Sequence, residues 1–109
     1  MSLNSQTPDV IYEYVAGDTL PTPRAIIENL VSTGFTFQLI IKRSDGLRLD
    51  KPGTIVDDGS TSGNTTVDFA LASTDLIEGT HTGQMKYTDL SSDVTTFVRD
   101  ISIRVTAAL

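Results

Sequence analysis

The sequence predicts an all-β domain, a sandwich of about seven to nine short antiparallel strands. Three observations carry that expectation. Phe35, Phe37, Leu39 and Ile41 alternate with Thr36, Gln38 and Lys42, the period of a strand with one face in a core and the other in water. Turn-forming clusters recur about every 8–12 residues. No apolar pattern of helical period extends over a usable length. A small barrel is the competing architecture.

The stretch 35–42 is expected at the centre of the core sheet. Ile40, apolar on the polar parity, marks partial cover of its second face. Before it, Val10–Val15 reads as a first strand, rich in β-branched and aromatic residues. Ala16–Thr19 turns the chain, and Pro21 and Pro23 keep the next segment extended and off a central ladder. Arg24–Asn29 reads as the second strand. After 35–42, Asp45-Gly46 is a reverse-turn signal, because Gly accepts positive φ. Leu47–Leu49 returns as a short strand, Asp50–Gly53 turns, and Thr54–Val56 is a brief extended piece. Residues 57–64 form the most turn-rich segment and read as an exposed loop. Thr65–Leu71 alternates with Val67, Phe69 and Leu71 inward, and 73–76 fits one helical turn capped by Ser73 or Thr74. Glu78-Gly79 turns into a strand at His81–Tyr87, where Met85 and Tyr87 share a face. Asp89–Asp93 is a hairpin loop. Val94–Arg99 and Ile101–Thr106 are the last strands, with Ile101, Ile103 and Val105 inward and a parity slip near Arg99-Asp100 that signals a bulge or a change of sheet.

At 109 residues the chain reads as one domain spanning 10–109, after a flexible segment 1–9 whose first three residues resemble a vector remnant. There is no cysteine, so neither a disulfide framework nor a Cys-based metal site can form. The net charge of −6, with no basic run longer than Lys42-Arg43, argues against nucleic acid and anionic membranes as partners. Apolar runs fall far short of the roughly 18 residues of a membrane span, so no membrane insertion is expected.

Catalytic chemistry finds little support. Gly59-Ser60-Thr61-Ser62-Gly63 has the outline of a nucleophile elbow, but its centre is Thr61 and no strand-to-helix turn surrounds it. His81 is the single histidine, too few for a zinc site, and reads as a surface or strand-facing residue. Asp57, Asp58 and Asn64 offer oxygen atoms to a calcium ion, without the spacing of an EF-hand. Tyr12, Tyr14 and Tyr87 suggest a sugar-stacking surface, against a low aromatic content and no Trp. The expectation is therefore no enzyme, no cofactor, no metal and no catalytic residue.

Several short motifs occur in a familiar order. Ala16-Gly17-Asp18-Thr19-Leu20 follows the first strand. Ser32-Thr33-Gly34 leads into Phe35-Thr36-Phe37, and that strand ends in Arg43-Ser44-Asp45-Gly46. Val67-Asp68-Phe69 leads to Ser73-Thr74-Asp75-Leu76-Ile77-Glu78-Gly79, and the chain closes with Ile101-Ser102-Ile103-Arg104-Val105. This order resembles the immunoglobulin-like domain at the N-terminus of phage baseplate upper proteins and in related small tail proteins. Ser32 stands where that family has Leu, and Leu71-Ala72 and Thr80-His81 stand where it often has aromatics. The resemblance implies an immunoglobulin-like sandwich, no catalysis, and a structural place in a phage virion, made in the bacterial cytoplasm and partnered by itself and other tail subunits. A carbohydrate- or cell-surface-binding sandwich, with recognition in loops such as 57–64, is the alternative. Homo-oligomerisation is expected through Ile101–Thr106, which carries one charge and no proline, if that strand lies at an edge; residues 10–15 lying over it would make a monomer.

Overall fold

A computed structural model describes residues 10–19 and 21–107 of the chain; the expected segment 1–9, Leu20 and the tail residues Ala108 and Leu109 lie outside the described residues. The described part holds eight strands: β1 Val10–Val15, β2 Arg24–Glu28, β3 Phe35–Lys42, β4 Arg48–Pro52, β5 Thr54–Asp57, β6 Asn64–Asp68, β7 Gly79–Asp89 and β8 Val94–Thr106. They form a five-stranded sheet, β1-β8-β7-β3-β4, and a three-stranded sheet, β2-β6-β5. This is the immunoglobulin-type order: β2, β6 and β5 take the places of strands B, E and D, and β8, β7, β3 and β4 those of G, F, C and C′.

The alternation in β3 does what its pattern demands: Phe37, Leu39 and Ile41 are buried. Across the ladder Phe37 faces Tyr87 and Leu39 faces Met85, while Ile41 faces Gly83, which in turn faces Ile101. A Cβ on Gly83 would stand 2.8 Å from Ile101 Cγ1 and 3.3 Å from Leu39 Cδ1, so the missing side chain is the space those two fill. From the other sheet come Ala25 and Val67, with Phe69, Leu71 and Leu76 from the connection after β6. Burying such side chains at about 1.5–3 kcal/mol each is the main force holding the sheets together.

Six features differ from the sequence reading. The centre of the larger sheet is β7, with β3 one place away, because the long β7–β8 hairpin inserts between β1 and β3. The antiparallel expectation fails for one pair: β1 runs parallel to β8, Val10 opposite Ile101 through Val15 opposite Thr106. The strand Ile101–Thr106 is therefore not at an edge. Asp50–Gly53 is not a turn, since Asp50, Lys51 and Pro52 pair with β3 and only Gly53 interrupts the strands. At Gly53 the chain steps from one sheet to the other. A Cβ there would lie 2.4 Å from Val67 Cγ1 and 2.8 Å from Phe37 Cβ, so the crossing passes straight over the core. Residues 73–75 turn without forming a helix, and the capping group is Asp75, not Ser73 or Thr74: Asp75 N–H donates to Ala72 O at 3.0 Å, while Ala72 N–H donates to Asp75 Oδ2 at 2.6 Å. Finally, Val94–Thr106 is one strand. The slip is a bulge at Val98, where Lys86 pairs with Phe97 and Met85 already pairs with Arg99.

Candidate functional site

The densest polar construction lies at the corner between β6 and β7. Asp75 is buried and its Oδ2 accepts from both Ala72 N–H and Lys51 Nζ, the latter at 2.6 Å. Arg43, at the end of β3, forks onto Asp45 at 3.1 and 2.5 Å and donates from Nη1 to Asp75 O at 3.3 Å. That fork, then the Leu47 N–H, pulls the Asp45 carboxyl down to about 2. His81 sits beside this network on β7, 1 % exposed. Its Nδ1 accepts from Ser44 N–H at 2.9 Å, which leaves Nε2–H to donate to Ile77 O at 2.7 Å. Both ring nitrogens are spent on backbone, so the ring pins two corners together and has no free atom for a substrate proton.

The 57–64 loop is mostly exposed, as its composition implies, but it is tied at several points. Asp57 accepts from Gly59 N–H and Ser62 Oγ at 2.9 and 3.0 Å. Asp58 accepts from Ser60 N–H at 2.9 Å, which holds its carboxyl below the usual range. Asn64 Oδ1 takes Asn29 N–H. Below the loop, Ser32 N–H donates to Asp58 O, and the fully buried Thr65 hydroxyl donates to Leu30 O at 2.7 Å. Gly59 lies against that floor at φ +82, where a Cβ would stand 2.3 Å from Leu30 O. Of the groups that suggested a calcium site, Asp57 and Asp58 thus accept from the loop's own donors and Asn64 from Asn29 N–H. No group of three or more potential ligands occurs among the described residues. Thr61 stands on an exposed turn of this loop, with no elbow beneath it.

The three tyrosines form two groups. Tyr12 and Tyr14 stack with centroids 6.5 Å apart, and both hydroxyls are tied to the segment entering β2: Tyr14 donates to Pro21 O at 2.5 Å, and Tyr12 accepts from Arg24 N–H. Burial, then the neighbouring Tyr12, pushes the Tyr14 phenol up to about 12. Tyr87 packs instead on Phe35 and Phe37. They do not make one flat platform.

The sequence reading did not anticipate the Asp75 network or two surface features. One is an open hollow of about 330 Å³ lined by Glu13, Tyr14, Val15, Asp18, Arg104 and Thr106, where Asp18 accepts from Val15 N–H. The other is the outer end of the β7–β8 hairpin, where Leu90, Val94 and Phe97 are 63, 58 and 60 % exposed. Three consecutive uncharged exposed residues at 95–97 beside a hairpin loop were the available signal for the second. The hollow had none, since it depends on β1 lying parallel to β8. No family model matches this sequence, and no curated protein matches it.

Proposed function

We propose that this chain is a non-enzymatic structural component of a phage virion, a tail or baseplate subunit that works by protein–protein assembly with its own copies and with other tail subunits. One observation carries the reading. The motifs that resemble the baseplate domain occupy successive corners of an immunoglobulin-type sandwich. Gly17-Asp18 turns out of β1, with Gly17 at φ +93. Ser32-Thr33-Gly34 turns into β3, where Phe35 N–H donates to Ser32 O. Asp45-Gly46 joins β3 to β4, and Asp75-Leu76 is the buried corner before Gly79 opens β7. The engaged nitrogens of His81 and the internally satisfied loop acids support an assembly role over a catalytic one.

The test is proteomic and genetic. Tails purified on a gradient from the host that carries the gene are expected to contain this chain in fixed stoichiometry with the other tail subunits, and its neighbouring genes are expected to encode tail proteins. Purified tails whose major components are all accounted for without this chain would reject the proposal.

A further inference from the structure

We infer that the first half of β8 is a self-complementary edge through which two copies of this chain join their larger sheets, antiparallel and about a two-fold axis. β8 pairs with β7 from Val94 to Val105, with Val98 bulged out, but β1 covers only Ile101–Thr106 on the other side. Among the described residues, the outer side of Val94–Asp100 has no partner strand. An unpaired row of backbone N–H and C=O groups is a template for another strand, and natural edges are usually blunted by charge, proline or a bulge. Three of the other edges here are blunted: β4 carries Arg48, Asp50, Lys51 and Pro52, β2 carries Arg24 and Glu28 after Pro21 and Pro23, and β5 is bulged between Ile55 and Asp57. Val94-Thr95-Thr96-Phe97 has neither charge nor proline, and the bulge of this strand comes only at its end, at Val98.

The choice of occupant comes from the order of residues. Centred on Thr96, antiparallel pairing sets Thr96 against the other copy's Thr96, Thr95 against its Phe97, and Val94 against its Val98. Beyond the strand itself, Asp93 in the hairpin turn and Arg99 just past the Val98 bulge come to the same end of the pairing from opposite copies, and by symmetry so do Arg99 and Asp93. Both ends of the pairing therefore close with opposite charges, and neither Asp93 nor Arg99 has an ion-pair partner among the described residues. Faces agree as well. Thr96 lies opposite Tyr87, on the core side of the sheet, and Phe97 lies opposite Lys86, on the outer side. A two-fold axis normal to the sheet keeps each face on its own side and sets exposed Phe97 beside a threonine methyl. Among the described residues, the stretch is bounded by the hairpin loop at one end and by Val10, opposite Ile101, at the other. This inference gives the surface by which the copies named in the function proposed above meet, and it does not depend on the phage reading.

Two measurements on the full chain test it. The protein has no cysteine, so Thr96→Cys can cross-link only between copies. Antiparallel pairing sets facing Cα atoms about 4.5–5.5 Å apart, within disulfide reach. Oxidised T96C is expected to run as a dimer, while S60C, on the exposed loop, is not. In sedimentation, the unmodified chain is expected to dimerise with concentration. Asp93→Lys and Arg99→Asp should each weaken that association by about tenfold by setting like charges opposite each other. An equimolar mixture of the two variants should regain it, because every facing pair is then opposite in sign. Asp93 sits at φ 60, so D93K strains the turn equally in monomer and dimer, and the mixture controls for that cost. A chain that stays monomeric at every concentration, with T96C cross-linking no better than S60C, overturns the inference. Association that ignores both charge reversals also overturns it, since the copies would then meet elsewhere.

Discussion

Tyr14 shows how much one side chain can link. Its ring lies in the core, its hydroxyl holds Pro21 O, and its phenol ionises only near 12 instead of the usual 10. A phenol harder to ionise when folded contributes stability that is complete below pH 10 and is lost as pH rises toward 12. An alkaline melt should therefore show a loss of about 1–2 kcal/mol across that window, which Tyr14→Phe should remove from the pH profile. Phe37, buried against Tyr87 and Gly53, should cost about 3–5 kcal/mol when cut to Ala, read from urea melts. Asp75→Ala should cost about 2–3 kcal/mol, because Lys51 and Ala72 N–H lose their shared acceptor together.

At the level of elements, Gly53→Ala should lower stability by about 1–3 kcal/mol or more, since the new methyl meets Val67 and Phe37 with no room to yield. A thermal melt of G53A beside G46A separates this crowding from backbone strain. Gly46 has φ +94 and nothing near its Cβ position. Much of this layer was legible in the residues. The inward sets Phe37-Leu39-Ile41 and Ile101-Ile103-Val105 are buried, because a period of two leaves a strand no other way to face a core. Phe69 and Leu71 keep the buried parity of Val67, although the strand expected over Thr65–Leu71 ends at Asp68. What stayed hidden depends on long-range partners. Asp50-Lys51-Pro52-Gly53 looks like a turn by composition, yet β3 recruits three of its residues into a ladder and leaves only the glycine to bend. Asp75 was visible as a turn residue, but its burial follows from Lys51 reaching it from β4, far back along the chain. His81 read as a surface or strand-facing residue, yet it is fully buried, because its two backbone partners come from turns that no local pattern joins.

For the molecule as a whole, the far-ultraviolet spectrum should be dominated by strand, and added calcium or chelator should leave the melting temperature unchanged, because the acids of the 57–64 loop already hold protein donors. A clear rise with calcium that Asp57→Asn and Asp58→Asn abolish would contradict this. The parallel pairing of β1 with β8 also decides how the domain bears load. Force applied where the chain enters β1 at Val10 and leaves β8 at Thr106 pulls two parallel strands past each other along their length. The rungs from Val10–Ile101 to Val15–Thr106, with Ala16 N–H on Thr106 O beyond them, are then sheared together and cannot be peeled singly. Stretched between those points in single-molecule pulling, the domain should resist until this short ladder breaks as one unit. A variant lacking residues 10–15 should yield at a much lower force, which would place the mechanical strength of the protein in its first strand.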